Sequence, residues 1–346
     1  MSDRKYLAIP DPEVAAALDK IPISEVVPDN ADQVPHDMDM ASARAGFDSS
    51  VVAAARRTAE PFLPPESEYR IQDYQIPVEG GEVTVRCVIP TPAGQENKTF
   101  PLLFWTHGGA WVFGGLDLDD LTLRTICVEL QIAVANVDYR LAPEYPFPTG
   151  INDAYAGMKW VANNASLLSA DLSKGFLVGG TSAGGNLATI MAHRAEHDPF
   201  FEGRRVTGQL LQIPVTCHPD GYPEKYKDEL LSFETLGDPR LLSGRAMIEA
   251  YKKYGAPATD PECSPLLYPS HKGLPSAFLQ VCGADPLRDE ALLYERLLKE
   301  DGVKTKLEVY PGVGHGFHIL AEESKSAKKF VQDFKDGLKW LLQGDT

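Results

Sequence analysis

Three residues that together could activate a nucleophile stand in glycine-rich turns of this chain. They are Ser182 in Gly180-Thr181-Ser182-Ala183-Gly184, Asp285 in Gly283-Ala284-Asp285-Pro286, and His315 in Gly314-His315-Gly316. A serine hydroxyl attacks a carbonyl carbon when a base takes its proton, a carboxylate orients that base, and N–H donors hold the resulting oxyanion. Apolar residues 176–178 run into the serine turn and residues 186–194 read as helix, so Ser182 sits where a strand hands over to a helix. A G-x-S-x-G at such a junction lifts the hydroxyl clear of the sheet on a strained backbone. Gly180 and Gly184 let strand and helix approach with no side chain between them. The helix also directs its positive end at the same spot.

His315 is the expected base. Its two flanking glycines suit a loop that brings an imidazole close to another backbone, whereas His318, the nearest alternative, lies where a new helix begins. Asp285 follows the penultimate strand, and Pro286 then opens a helix; the aspartate reads as the orienter, as a helix N-cap, or as both. Asp289, one turn further on, reads as a solvated helix residue. The oxyanion donors are expected in His107-Gly108-Gly109-Ala110-Trp111, directly after the apolar strand 102–105. There the N–H groups of Gly108 and Gly109 can converge with that of Ala183 on one point. A glycine-rich loop after a strand can also cradle phosphate, but the chain has neither G-x-G-x-x-G nor G-K-[ST]. His107 is expected to hold the loop by a hydrogen bond rather than to ligate a metal. Trp111, Phe113 and Phe317 lie beside these turns as candidate substrate-lining residues, with packing in a core under a cover as the alternative.

Positioning these turns requires a sheet. Residues 69–77 and 82–89 alternate around Gly80-Gly81, a hairpin signature. Apolar strands then recur at 102–105, 132–137, 175–178, 209–213, 277–281 and 306–309, with helical patterns at 118–130, 151–163, 185–196, 287–299 and 322–342. Strands alternating with helices predict a parallel sheet covered on both faces, here with an antiparallel edge, whose sites lie at the C-terminal strand ends. Two regions break the rhythm. Residues 1 to about 65 hold two or three helices unable to form a core alone. Residues 213–276 form a connection far longer than the usual 4–6 residues, with helical patches at 224–233 and 243–254. Together they are expected to form a helical cap, its inserted part at about 215–262, on a catalytic domain spanning 66–346.

Composition narrows the partners. With 33 Lys and Arg against 49 Asp and Glu the net charge is −16, which argues against nucleic acid and anionic membranes. No apolar segment reads as a secretory signal or reaches the ~18 residues that span a bilayer, so a cytoplasmic location is expected. The five cysteines are odd in number and scattered, neither a disulfide framework nor a zinc site; Cys87, Cys127 and Cys282 read as core residues. No metal or organic cofactor is expected.

From residue 69 to the C-terminus the chain resembles the hormone-sensitive-lipase-like branch of the α/β-hydrolases, which includes bacterial family IV type esterases. The likeness rests on the His107 loop, on Asp138-Tyr139-Arg140-Leu141-Ala142-Pro143-Glu144-Tyr145-Pro146-Phe147-Pro148, on Gly180 to Gly185, on Asp285-Pro286-Leu287-Arg288-Asp289-Glu290 and on Gly314-His315-Gly316-Phe317. The order Ser182, Asp285, His315 is the order of that fold. The resemblance implies a mostly parallel eight-stranded sheet, a helical cap, and hydrolysis of short- to medium-chain carboxylic esters without a cofactor. An amidase or deacetylase on the same residues, or a small-molecule receptor of the same fold, are the alternatives. Similar esterases are often homodimers. Two departures stand out. Ala110 replaces a usual third glycine, its Cβ expected to narrow the alcohol side of the pocket. Thr181 stands where many members have Asp, and looks like the subgroup with Gly-Thr-Ser-Ala-Gly. The 138–148 segment, which catalysis itself does not demand, is expected to act as structural bracing.

Overall fold

The structure is a computed structural model that describes residues 4–21, 39–95 and 97–344. Its centre is an eight-stranded sheet: β1 (Tyr69–Val78), β2 (Gly81–Pro90), β3 (Leu102–Thr106), β4 (Ala133–Val137), β5 (Phe176–Thr181), β6 (Gly208–Gln212), β9 (Ser276–Cys282) and β10 (Thr305–Tyr310). A two-residue hairpin, β7 (Gly237–Asp238) and β8 (Leu242–Ser243), lies outside it and has no visible sequence signal. The order across the main sheet is β1-β2-β4-β3-β5-β6-β9-β10. β2 pairs antiparallel with β1 and β4, and all later pairs are parallel. The expected antiparallel edge is therefore present, turning at Gly80 with φ +73°.

Helices cover both faces because the central strands are apolar on both. Every residue of β3 and β4 is buried. On one face Leu103, Trp105, Leu177 and Leu210 pack with α4 (Asp120–Leu130) and α11 (Lys325–Leu342). On the other, Phe104, Val178 and Leu211 pack with α5 (Thr149–Asn163) and α6 (Ala183–His197). Neighbouring strand residues divide between the two cores, as the period of two demands.

The N-terminal helices are α1 (Pro12–Leu18), α2 (Met40–Phe47) and α3 (Ala53–Ala59); the proline-rich connection expected between the first two lies largely outside the described residues. α1 buries Val14 and Leu18 against Val313 and Phe317. The long β6–β9 connection contains α7 (Ser232–Thr235) and α8 (Gly244–Tyr254). The helix expected over 224–233 is instead a 3-10 turn at Glu224–Glu229 followed by the short α7. The reason is long-range: the Asp289 carboxylate accepts the N–H groups of Leu231 and Ser232, at 3.1 and 2.9 Å, and takes that backbone out of a continuous helix. Among the described residues no helix is long and apolar enough to cross a membrane.

Candidate active site

Ser182 is the last residue before α6, and its backbone is strained as the motif requires, with φ 57° and ψ −116°. Its N–H bonds to the carbonyl of Gln212 at 2.8 Å. The glycines around it stand where no side chain fits. A Cβ on Gly180 would lie 2.4 Å from the carbonyl carbon of Gly184, and one on Gly184 only 2.0 Å from the carbonyl oxygen of Thr106. Strand, helix and oxyanion loop thus meet backbone to backbone.

The three expected residues converge. His315 Nε2 lies 2.9 Å from Ser182 Oγ, and His315 Nδ1 lies 2.7 Å from Asp285 Oδ2. A carboxylate only accepts, so Nδ1 carries the ring proton and Nε2 is left to accept from the serine hydroxyl. Asp285 Oδ1 also accepts from Leu287 N at 2.9 Å, but the helix begins at Arg288 with Leu287 at its N-cap, so Asp285 braces the preceding turn and is not the expected helix N-cap. Asp285 and Ser182 are buried. His318 is turned to another use, its ring flat against Phe330 with centroids 4.4 Å apart.

The glycine loop 107–111 packs on Ser182. A Cβ on Gly108 would lie 3.0 Å from the carbonyl oxygen of Thr181 and 3.7 Å from Ser182 Cβ. Gly109 has φ +118°, and a Cβ there would meet the Phe113 carbonyl at 2.2 Å. Among the described residues no group accepts from the N–H of Gly108, Gly109 or Ala183, and the last of these is an orphan donor at a helix start. Ala110 and Trp111 both lie in the left-handed region, with φ 50° and 61°.

The 138–148 segment braces this loop. Tyr139 donates its hydroxyl to the His107 carbonyl at 2.9 Å and stacks on the His107 ring at 4.3 Å. His107 Nδ1 donates to the Gly108 carbonyl at 2.7 Å, and burial lowers its pKa to about 4, so the ring is a neutral strut. Ala142 N donates to the Trp111 carbonyl, and Arg140 is locked to Asp153 at 2.7 Å. From α2, Arg44 donates to the carbonyls of Val112 and Ala142, both at 2.9 Å, and pairs with Glu144.

Three expectations need correction. Trp111 is a core residue, its ring flat on Tyr254 at 4.3 Å with Tyr251 beside it. Phe317 is likewise fully buried, between Tyr310 and Phe330. Only Phe113 is partly exposed, and it stacks on Phe47 of α2 at 5.3 Å. The covering rings come from the β6–β9 connection for Trp111, from α2 for Phe113, and from β10 and α11 for Phe317, and no local pattern reveals them. Asp289 is not solvated: it is buried, between Arg288 at 2.9 Å and Arg4 at 3.1 Å, and those cations and hydrogen bonds hold its carboxyl below the usual range against the opposing effect of burial.

Two supports carried no recognised signal. The first N-terminal segment straps the loops that bear Asp285 and His315. Gly312 N donates to the Leu7 carbonyl at 2.7 Å, and Asp11 N to the Gly312 carbonyl at 3.0 Å. A Cβ on Gly283 would meet the Leu7 carbonyl at 2.2 Å, and one on Gly312 the Ile9 carbonyl at the same distance. Those two glycines were the available signal. Beneath the strand ends runs a side-chain chain in which Thr181 Oγ1 donates to Gln212 (2.8 Å), Gln212 to Gln280 (2.8 Å), Gln280 to Tyr310 (2.7 Å) and Tyr310 to Asp333 (2.7 Å).

A strained strand-to-helix serine, an upstream glycine loop and a downstream Asp and His at strand ends define an α/β hydrolase. The alpha/beta hydrolase fold family model matches residues 103–319, and the chain belongs to that family. Versiconal hemiacetal acetate esterase of Dothistroma septosporum is 35% identical over 297 residues, covering 85% of this chain and 87% of that protein. Carboxylesterase NlhH of Mycobacterium tuberculosis is 35% identical over 277 residues, 77% of this chain and 82% of that one. The crystal structure of vibralactone cyclase aligns with a TM-score of 0.91 at 44% identity, covering 98% of this chain and 96% of the other. These likenesses put the chain in the hormone-sensitive-lipase-like branch.

Proposed function

We propose that the chain is a serine carboxylic ester hydrolase acting on short- to medium-chain esters. The observation that carries this reading is the continuous hydrogen-bonded series from Ser182 through His315 to Asp285; the glycine loop packed on Ser182 supports it with N–H groups that find no acceptor among the described residues. Ser182 Oγ attacks the ester carbonyl while His315 Nε2 takes its proton. Asp285 keeps the proton on Nδ1 and stabilises the imidazolium. Gly108, Gly109 and Ala183 donate to the tetrahedral oxyanion; one such donor is worth about 2.7–4 kcal/mol in the transition state. His315 returns its proton to the leaving alkoxide, and the acyl-enzyme is hydrolysed by water that His315 activates in turn. The N-terminal helices and the β6–β9 connection act as the cap that selects the ester.

The test is hydrolysis of p-nitrophenyl esters from short to long acyl chains by wild type and Ser182→Ala. Turnover peaking at short chains and absent in the variant supports the reading. Full activity in the variant contradicts the Ser182 mechanism, whereas no ester turnover by folded wild type shifts weight to an amidase or deacetylase on the same residues. The likeness to a cyclase favours one further outcome, in which a nucleophile within the substrate, rather than water, releases the acyl group; the products tell the two apart.

A further inference from the structure

The motif 285–290 supplies one carboxylate to the triad, and its last residue has no part in the reaction above. Glu290, on α9 (Arg288–Glu300), is fully buried. Its Oε1 faces two backbone donors, Thr216 N at 2.7 Å and Cys217 N at 3.1 Å, and its Oε2 lies 3.0 Å from the hydroxyl of Tyr222. The chain it holds leaves the nucleophile turn directly: Val215 N donates to the Ser182 carbonyl at 3.3 Å. Asn186, in the first turn of α6, donates to the Val215 carbonyl at 3.1 Å from the other side. One carboxyl therefore ties the helix that follows Asp285 to the segment that rests against Ser182.

We propose that Glu290 is a positioning residue for Ser182, its carboxyl pinning residues 215–222 to α9 and so fixing the backbone against which the nucleophile turn rests. This rests on the serine-hydrolase reading of the site. All three polar partners donate to the Glu290 carboxyl: Oε1 accepts both N–H groups, and Oε2 accepts from the hydroxyl of Tyr222. The titratable groups facing it are Asp285 on the turn before, Cys217 and Tyr222 on the held segment, Tyr251 on α8, and Cys263. Burial raises both thiols and both phenols, which leaves the Asp285 carboxyl as the acidic neighbour. Burial likewise pushes Glu290 up to about 8, with Asp285 adding to the rise. Ionisation above that pH places a second anion in the buried site beside Asp285, and the cost of burying that charge opposes the packing of residues 215–222 on α9. The sign follows: the folded value lies above the ordinary one, so the stability Glu290 contributes is complete at low pH and lost as pH rises through about 8.

The experiment compares wild type, Glu290→Gln, Glu290→Ala and Tyr222→Phe. It measures kcat and KM on p-nitrophenyl butyrate, and melting temperature, from pH ~6 to ~9.5. Glu290→Gln keeps an acceptor for both N–H groups but cannot ionise. Its kcat is expected close to wild type near pH ~6.5, with the ratio of variant to wild type rising about threefold by pH ~9. KM should stay unchanged, and the wild-type melting temperature should fall with pH more steeply than the variant's. Glu290→Ala leaves two buried donors unmet and is expected to lose roughly tenfold or more in kcat. Should it not fold, the Gln ratio and the melting curves decide. A constant ratio with parallel melting curves, or a folded Ala variant at wild-type kcat, overturns the proposal. Wild type that turns over no ester would instead sink the hydrolase reading. The rate at which a fluorophosphonate labels Ser182, and the melting curves, then carry the same comparison with the same two outcomes.

Discussion

The Ser182 turn and the cover above it are held by opposite means. At the turn, backbone meets backbone: Gly180, Gly184 and Gly109 leave no room for a side chain, and the neighbours they meet are main-chain atoms of adjoining strands and loops. The cover is held through long side chains from distant parts of the sequence. Arg44 reaches from α2 to Val112, Ala142 and Glu144, and Asp289 reaches from α9 to Leu231 and Ser232. Aromatic stacks such as Trp111 on Tyr254 join the two. A site built on main-chain contact tolerates almost no substitution, whereas a cover held by side chains can be altered residue by residue without dismantling the chemistry. On the function proposed above, the reaction stands on the first kind of support and the choice of ester on the second.

That contrast orders the expected effects. Ser182→Ala and His315→Ala should each lower kcat by about 10⁴-fold or more, read from p-nitrophenyl ester turnover, with melting temperature little changed. Gly109→Ala should cost about 10²–10³-fold in kcat, because φ +118° and the 2.2 Å approach to Phe113 displace an oxyanion donor. Equal kcat in Gly109→Ala and wild type would mean the loop is not the donor. Trp111→Ala, read by denaturant unfolding, should destabilise by about 3–5 kcal/mol through loss of a buried ring. The milder Trp111→Phe should retain most turnover. Arg44→Ala is the smallest: about 1 kcal/mol of stability, since its ion pair with Glu144 is half exposed, and a several-fold rise in KM with kcat intact. A drop in kcat matching that of Gly109→Ala would erase the distinction between the two regions.

The same contrast explains what the sequence could tell. The sheet is legible because its buried strands are continuous apolar runs separated by helices, and all eight expected strands are present. Ser182 is legible because the glycines of its turn answer a local steric need, and Asp285 and His315 because each stands in a glycine-bearing turn after a strand, in an order that suits one fold. For Trp111 and Phe317 the sequence leaves wall and core both open, because the rings that bury them, Tyr254 and Phe330, belong to other elements and leave no local pattern. Asp289 looked like an ordinary helix surface position for the same reason: its partners Arg4, Leu231 and Ser232 lie more than fifty residues away. Gly283 and Gly312 are the intermediate case. Their lack of a side chain is visible, but the strap that requires it, residues 7–11, is recognisable only in space.

The most direct measurement is the chemical identity of the nucleophile. The folded protein is treated with a fluorophosphonate, digested, and the adduct located by tandem mass spectrometry, with ester turnover followed in parallel. The expected result is a single adduct on Ser182, formed in step with loss of turnover and absent from His315→Ala. An adduct on another residue, or a fully modified Ser182 with turnover intact, would contradict the account.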